Sequence, residues 1–194
     1  VSTNLVDFFA TFNGIYSNCK QRAQKLDEFD LVQVKAIPIE LPNLSEEPFL
    51  YFEQATNGWV KILTLFSVIE DDDGVTFLLP HNFTDSSEFK FNEYTITSLS
   101  SLKPDDIKVN ETCKAAIEPL DNGYYLINWP DCSRKIEGRH PTYSVVITCE
   151  FCDVIMPAGG PIQPAAAPYK LRRYGNRYPI PGAPGDYVSP CRRR

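Results

Sequence analysis

Histidine is nearly missing from this chain: 194 residues contain only His81 and His140. The single C-x-x-C, Cys149 to Cys152, has no second pair to complete it, so a zinc site lacks a ligand set and no metal is expected. Thioredoxin-like chemistry would need that pair at the start of a helix in a βαβ unit, whereas here it ends a strand pattern. There is no G-x-S-x-G, the acidic run Asp71 to Asp73 sits beside Gly74 as a solvated turn, and no residue is assigned a catalytic role. No apolar run approaches the roughly 18 residues of a membrane span. Methionine occurs once, at Met156, the first residue is Val1 and no targeting segment is visible, from which a processed, soluble product is expected.

Positive charge is scarce in the body. Of 19 basic residues, seven lie from Pro157 onward beside one of the 25 acids, leaving 12 basic against 24 acidic residues before it. An acidic body argues against nucleic acid as a partner, because phosphate binding needs a positive surface. The basic tail is expected to dock on its own body.

The cysteines are an even set of six: Cys19, Cys113, Cys132, Cys149, Cys152 and Cys191. Three N-x-[ST] triplets start at Asn43, Asn82 and Asn110. Together these features predict an extracellular, secreted glycoprotein with structural disulfides, although six cysteines allow about 15 connectivities. Cys191 is expected to tie the end of the tail to the body.

Ser2 as a cap, apolar residues at Leu5, Val6, Phe8, Phe9 and Phe12, and Gly14 as a stop predict a first helix; a second start signal follows at Ser17, running through "CKQRAQKL". From Leu31 the period changes to two. "LVQVKAIPIE", "FLYFEQA", "WVKILTLFSVI", "VTFLLP", "FKFNEYTI", "YYLINW" and "YSVVITCEF" read as strands, divided by turn material such as "TNG", "EDDDG" and "LDNG". "SLSSLKPDD" reads as a helical turn or loop. Seven or more such strands suggest an antiparallel sheet, closed as a barrel or folded as a sandwich. Residues 157–194 hold eight of the sixteen prolines and cannot build a core, so 1–156 is read as the domain and 157–194 as a tail, with "YKLRRY", 169–174, as a candidate last strand.

Polar residues on strands raise a question of direction. In "LYFEQA", Tyr51 and Glu53 share one face while Leu50, Phe52 and Gln54 share the other, so one of Glu53 and Gln54 is expected to point inward. Tyr51, Glu53, Gln54, Lys61, Tyr94 and Tyr143 are candidates to line a barrel interior that holds a ligand.

Four segments in order resemble the CpcT/CpeT-type phycobiliprotein lyases: "GIYSNCKQ" from Gly14, "LYFEQA" from Leu50, "SLKPDDI" from Ser101 followed by Cys113, and "GYYLINWPDC" from Gly123 to Cys132. "AAAPYKLRRY" is similar to that family's closing strand. The resemblance implies an all-β (β-dominated α+β) fold: an antiparallel, lipocalin-like calyx with short N-terminal helices, holding a bilin, a linear tetrapyrrole, in its cup. It places Cys113 and Cys132 where members often carry cysteines. It departs at Met156–Gly159, where an acid and an arginine of the family are absent, and at Lys61, which stands for arginines that commonly follow the Glu-Gln strand. The expected function is therefore a secreted pigment or carrier protein for a bilin such as biliverdin or a similar conjugated ligand, with Tyr51, Glu53, Gln54, Lys61 and Tyr143 at the ligand. The alternatives are a bilin lyase, with Glu53 or Tyr51 supplying a proton, and a structural protein that uses its basic tail. Relatives of this fold often pair through the sheet, which makes a homodimer a candidate assembly.

Overall fold

In the computed structural model, residues 3–85, 90–93, 96–129, 143–155 and 168–192 are described. Among them are two short α-helices, one on either side of the first strand, and eleven strands. They are α1 (Thr3–Thr11), β1 (Gly14–Ser17), α2 (Cys19–Gln24), β2 (Val32–Ile39), β3 (Phe49–Thr56), β4 (Trp59–Glu70), β5 (Thr76–Phe83), β6 (Ile107–Val109), β7 (Ala115–Leu120), β8 (Tyr124–Trp129), β9 (Tyr143–Ile147), β10 (Phe151–Ile155) and β11 (Tyr169–Tyr174). All pairings are antiparallel, and the order β4-β3-β2-β1-β11-β10-β9-β8-β7-β5 returns through β5 to β4, closing a ten-stranded barrel. The short β6 pairs beside β5 outside this ring.

Local chemistry explains the joints. The hairpin between β3 and β4 turns at Asn57 (φ 52°) and Gly58 (φ 86°), the left-handed pair that suits the twist of the flanking strands. The acidic run forms the next hairpin, where the Asp71 carboxylate accepts the N–H groups of Asp73 and Val75 at 3.1 and 2.8 Å. Gly14 sits at φ 134°, and a Cβ there would meet the Arg173 side chain at 3.2 Å, so this position of "GIYSNCKQ" requires glycine.

Three readings needed correction. "FKFNEYTI" is no strand in its described part: Lys90 makes one bridge to Trp59, residues 91–93 form a turn with Asn92 at φ 67°, and a 3₁₀ turn starts at Ile96. "YSVVITCEF" is two strands, because the Thr148 hydroxyl accepts the N–H groups of Glu150 and Phe151 and folds the chain back between β9 and β10. α1 ends at Thr11, three residues before the expected stop at Gly14, and Gly14 instead begins β1, which the helix signals had hidden. "YKLRRY" is the last strand, β11, wedged between β10 and β1.

Two clusters separate the faces of the sheet. Phe66 on β4 meets Trp129 on β8 at 6.3 Å between ring centres, across strands that are not neighbours, so this face is the interior. With it go Val34, Leu50, Phe52, Ile127, Val145, Ile147 and Leu171, all buried. Eight strands give a barrel that side chains can just fill, and ten leave surplus volume. Here α1 and the residue after it supply the filling: Phe8 of α1 stands edge-on to Tyr125 at 5.2 Å, and Phe12, next after the helix, lies 6.2 Å from Phe52 and 5.8 Å from Tyr16. A second cluster lies outside the ring, where Ile37, Ile39, Tyr51 and Leu65 are covered by Leu41, Leu99 and the tail residue Tyr178.

Candidate functional site

β3 is covered on both faces, and the order of its side chains answers the question of direction. Phe52 and Leu50 point into the barrel, so Gln54 shares the inner face, half-buried beside Val34 and Ile62. Tyr51 and Glu53 point outward. They are nonetheless fully buried, at 0% exposure each: the turn at 91–93 reaches Glu53, and Tyr51 belongs to the outer cluster with Leu41 and Leu99.

The Glu53 carboxylate is fully engaged by the protein. It accepts the Tyr51 hydroxyl at 2.7 Å and pairs with the Lys35 ammonium at 3.3 Å through one oxygen, and accepts the Asn92 N–H at 3.1 Å through the other. Lys35 is the cross-strand neighbour of Glu53 on β2, and its ammonium also lies over the Phe91 ring at 5.3 Å. Such a cluster fastens a loop to the sheet and presents no free acceptor to a ligand in the barrel. The reading of Tyr51 and Glu53 as cavity-lining residues is therefore corrected: an outer cover makes the outward face as dry as the inward one.

Lys61 is exposed at a bulge where β3 and β4 slip register between Gln54 and Ala55. Its ammonium stays in water and does not line the interior. Tyr143 opens β9 opposite Trp129, with its side chain outside the described residues, as is Tyr94. Of the sequon residues, Asn43 is exposed in a turn, Asn110 is half-buried, and Asn82 is half-buried within β5, paired on both sides.

The cysteines divide. Cys149 and Cys191 form a disulfide and Cys113 is disulfide-bonded too, while Cys132 lies outside the described residues. Cys19 and Cys152 carry free thiols, which corrects the expectation that they pair. Cys152 belongs to the interior cluster, opposite Ile147 and Leu171. Burial, then the neighbouring Asp153 charge, pushes its thiol well above the ordinary range, so it stays protonated and unreactive at neutral pH.

Sequence reasoning missed one polar pair. His81 Nε2 and Ser67 Oγ are 2.9 Å apart on the outer face, with the Phe49 ring edge-on to the imidazole at 5.3 Å. Desolvation lowers the pKa of His81, with Glu111 acting weakly in the opposite direction. Its folded value lies below the ordinary value of about 6.5, so the folded state binds fewer protons than the unfolded chain. The stability it confers is complete above that pH and is lost as pH falls through the folded value. The melting temperature should thus decline more steeply from pH 7 to pH 5 in the native chain than in His81→Gln; parallel profiles would refute the assignment.

Among the described residues no group of three or more His, Cys, Asp or Glu is placed to hold a metal, and no helix is long and apolar enough to cross a membrane. No family model and no curated protein matches the chain. Among solved structures, a selenomethionine-labelled CRL protein of Arabidopsis is similar in fold, with a TM-score of 0.55 and 14% identity over 88% of this chain and 96% of that one. The chain thus shares with that protein an antiparallel β-barrel architecture along nearly the whole of both lengths.

Proposed function

We propose that this protein is an extracellular carrier or pigment protein that takes a linear tetrapyrrole, such as biliverdin, or a similar flat conjugated ligand into the barrel. One observation carries the reading: the aromatic series Phe12, Phe52, Phe66 and Trp129 runs through the interior, and its first member stands directly after α1, its N–H bonded to the Phe8 carbonyl, rather than in the barrel wall. Aromatic walls suit a conjugated guest, and a helical stopper can be exchanged for one. Among the described side chains, Gln54 is the candidate that stands on the inner face, able to accept a pyrrole N–H through its carbonyl. The likeness of "LYFEQA" and its companion segments to the bilin lyases supports the ligand class, and the Cys149–Cys191 disulfide agrees with an oxidising compartment.

The lyase alternative loses its proton donor, because Tyr51 and Glu53 face away from the interior and are bonded to each other. The structural alternative draws on the same stopper, an interior already filled by side chains. Its working surface is reduced, however, because Arg173 and Arg177 of the tail are spent on internal carbonyls.

Tryptophan fluorescence separates the readings. Trp129 is 4% exposed inside the barrel, whereas Trp59 is 45% exposed outside it, with Lys90 over its ring. Added biliverdin should quench the native protein and Trp59→Phe alike, and leave Trp129→Phe largely unquenched. Absence of saturable quenching would sink the carrier reading in favour of the structural one.

A further inference from the structure

The helix that fills the barrel is not held by the barrel alone. α1 has nine residues and no basic residue in its last turn, a length at which an isolated helix is marginal. Its support comes from the far end of the chain. The Arg177 guanidinium donates to the Ala10 carbonyl at 2.8 Å, supplying from the tail the cation that the helix C-terminus lacks. Asn13 brackets Tyr178, donating Nδ2–H to its carbonyl at 2.9 Å and accepting its N–H at 2.8 Å. The Tyr187 hydroxyl donates to Asp7 at 2.7 Å. Beyond these contacts the tail is anchored by Cys191, whose disulfide partner Cys149 lies 42 positions earlier in the turn between β9 and β10.

We infer that residues 176–192 are a redox-sensitive strap: the Cys149–Cys191 disulfide holds the tail across α1 and keeps its phenylalanines in the barrel, and cleavage of that bond loosens the helix and opens the interior. The opening of a ligand site rests on the carrier reading above; the control of α1 does not. The chemistry is thiol–disulfide exchange with an external thiol. Its thiolate attacks the Cys191 sulfur, on the more exposed residue of the pair, and the S–S bond breaks with its electron pair leaving on Cys149. A second external thiol then releases Cys191, so two protein thiols form as two external thiols are oxidised to one disulfide. The leaving sulfur belongs to a residue whose carbonyl accepts from both Arg173 and Arg177. That positive charge favours a departing thiolate.

The test is hydrogen exchange on the full chain, native and Cys149→Ser/Cys191→Ser, with biliverdin association followed by Trp129 quenching. The α1 amides should exchange on the order of ten- to a hundredfold faster in the variant while those of β3 stay protected. Should the double variant not fold, Arg177→Gln/Tyr187→Phe weakens the strap without touching sulfur and should also accelerate α1. Unchanged α1 exchange, or equal acceleration of β3, overturns the strap. Faster α1 exchange together with faster biliverdin association supports both strap and gate. Faster α1 exchange with no biliverdin binding to either protein leaves the strap standing and defeats the carrier reading. Equal association rates in the two proteins, with α1 loosened, overturn the gating.

Discussion

Lys35→Met should destabilise the protein by about 3–5 kcal/mol, because it strands the Glu53 carboxylate in a dry site. The loss does not measure the worth of the ion pair. Two buried charges cost much to desolvate, and their attraction returns about what was lost, so most of the effect is the penalty on the charge left behind. The triple variant Lys35→Met/Tyr51→Phe/Glu53→Met removes the ammonium, hydroxyl and carboxylate together, leaving only the Asn92 N–H on an exposed residue to find water. It should recover most of the loss. Urea unfolding with a common slope is the measurement, and a triple variant as unstable as the single one would show that the cluster acts in some other way. Ligand binding in the barrel should be unaffected in the triple variant, since the cluster lies on the other side of the sheet.

Phe12→Ala should cost a comparable amount, about 3–5 kcal/mol, or on the order of 10 °C in melting temperature for a chain of this size. Phe12 is 2% exposed and packs against both Tyr16 and Phe52, so truncation leaves a void that the sheet, fixed by its ladders, cannot collapse to fill. Phe12→Leu should cost clearly less. Near-equal stability of native and Ala chains would mean that Phe12 does not fill the barrel. The same truncation removes part of the stopper, so biliverdin should associate faster with Phe12→Ala at temperatures where it remains folded.

Much of the barrel was legible as alternation. "LVQVKAIPIE", "FLYFEQA" and "WVKILTLFSVI" became β2, β3 and β4 within one or two residues, and "TNG" and "EDDDG" became the turns that follow β3 and β4. What alternation could not supply was direction. A period of two sorts residues into two faces, but it names the inner face only where the outer one is wet, and β3 is buried on both. Glu53 and Gln54 were therefore assigned to one interior although they stand on opposite sides of the sheet. "FKFNEYTI" failed for a related reason: its aromatic residues suggest a strand, yet Asn92 tolerates a left-handed backbone and tertiary contact with Glu53 sets the turn. Cysteine pairing had no signal in spacing, and β1, four residues long, left too short a pattern beside the stronger helix cues.

The cylinder is not equally strong all the way round. Only three residue pairs join β1 to β11, and only three join β5 to β7. The first joint is clamped from outside by Gln21, whose amide donates to Pro168 and accepts from Lys170. Along the second, β5 exchanges one neighbour for another: β7 runs beside residues 76–78, β6 beside 81–83, and Pro80 falls between them without an N–H to give. Thermal fluctuation therefore has a preferred line of parting there, a lateral fissure separate from the stoppered end.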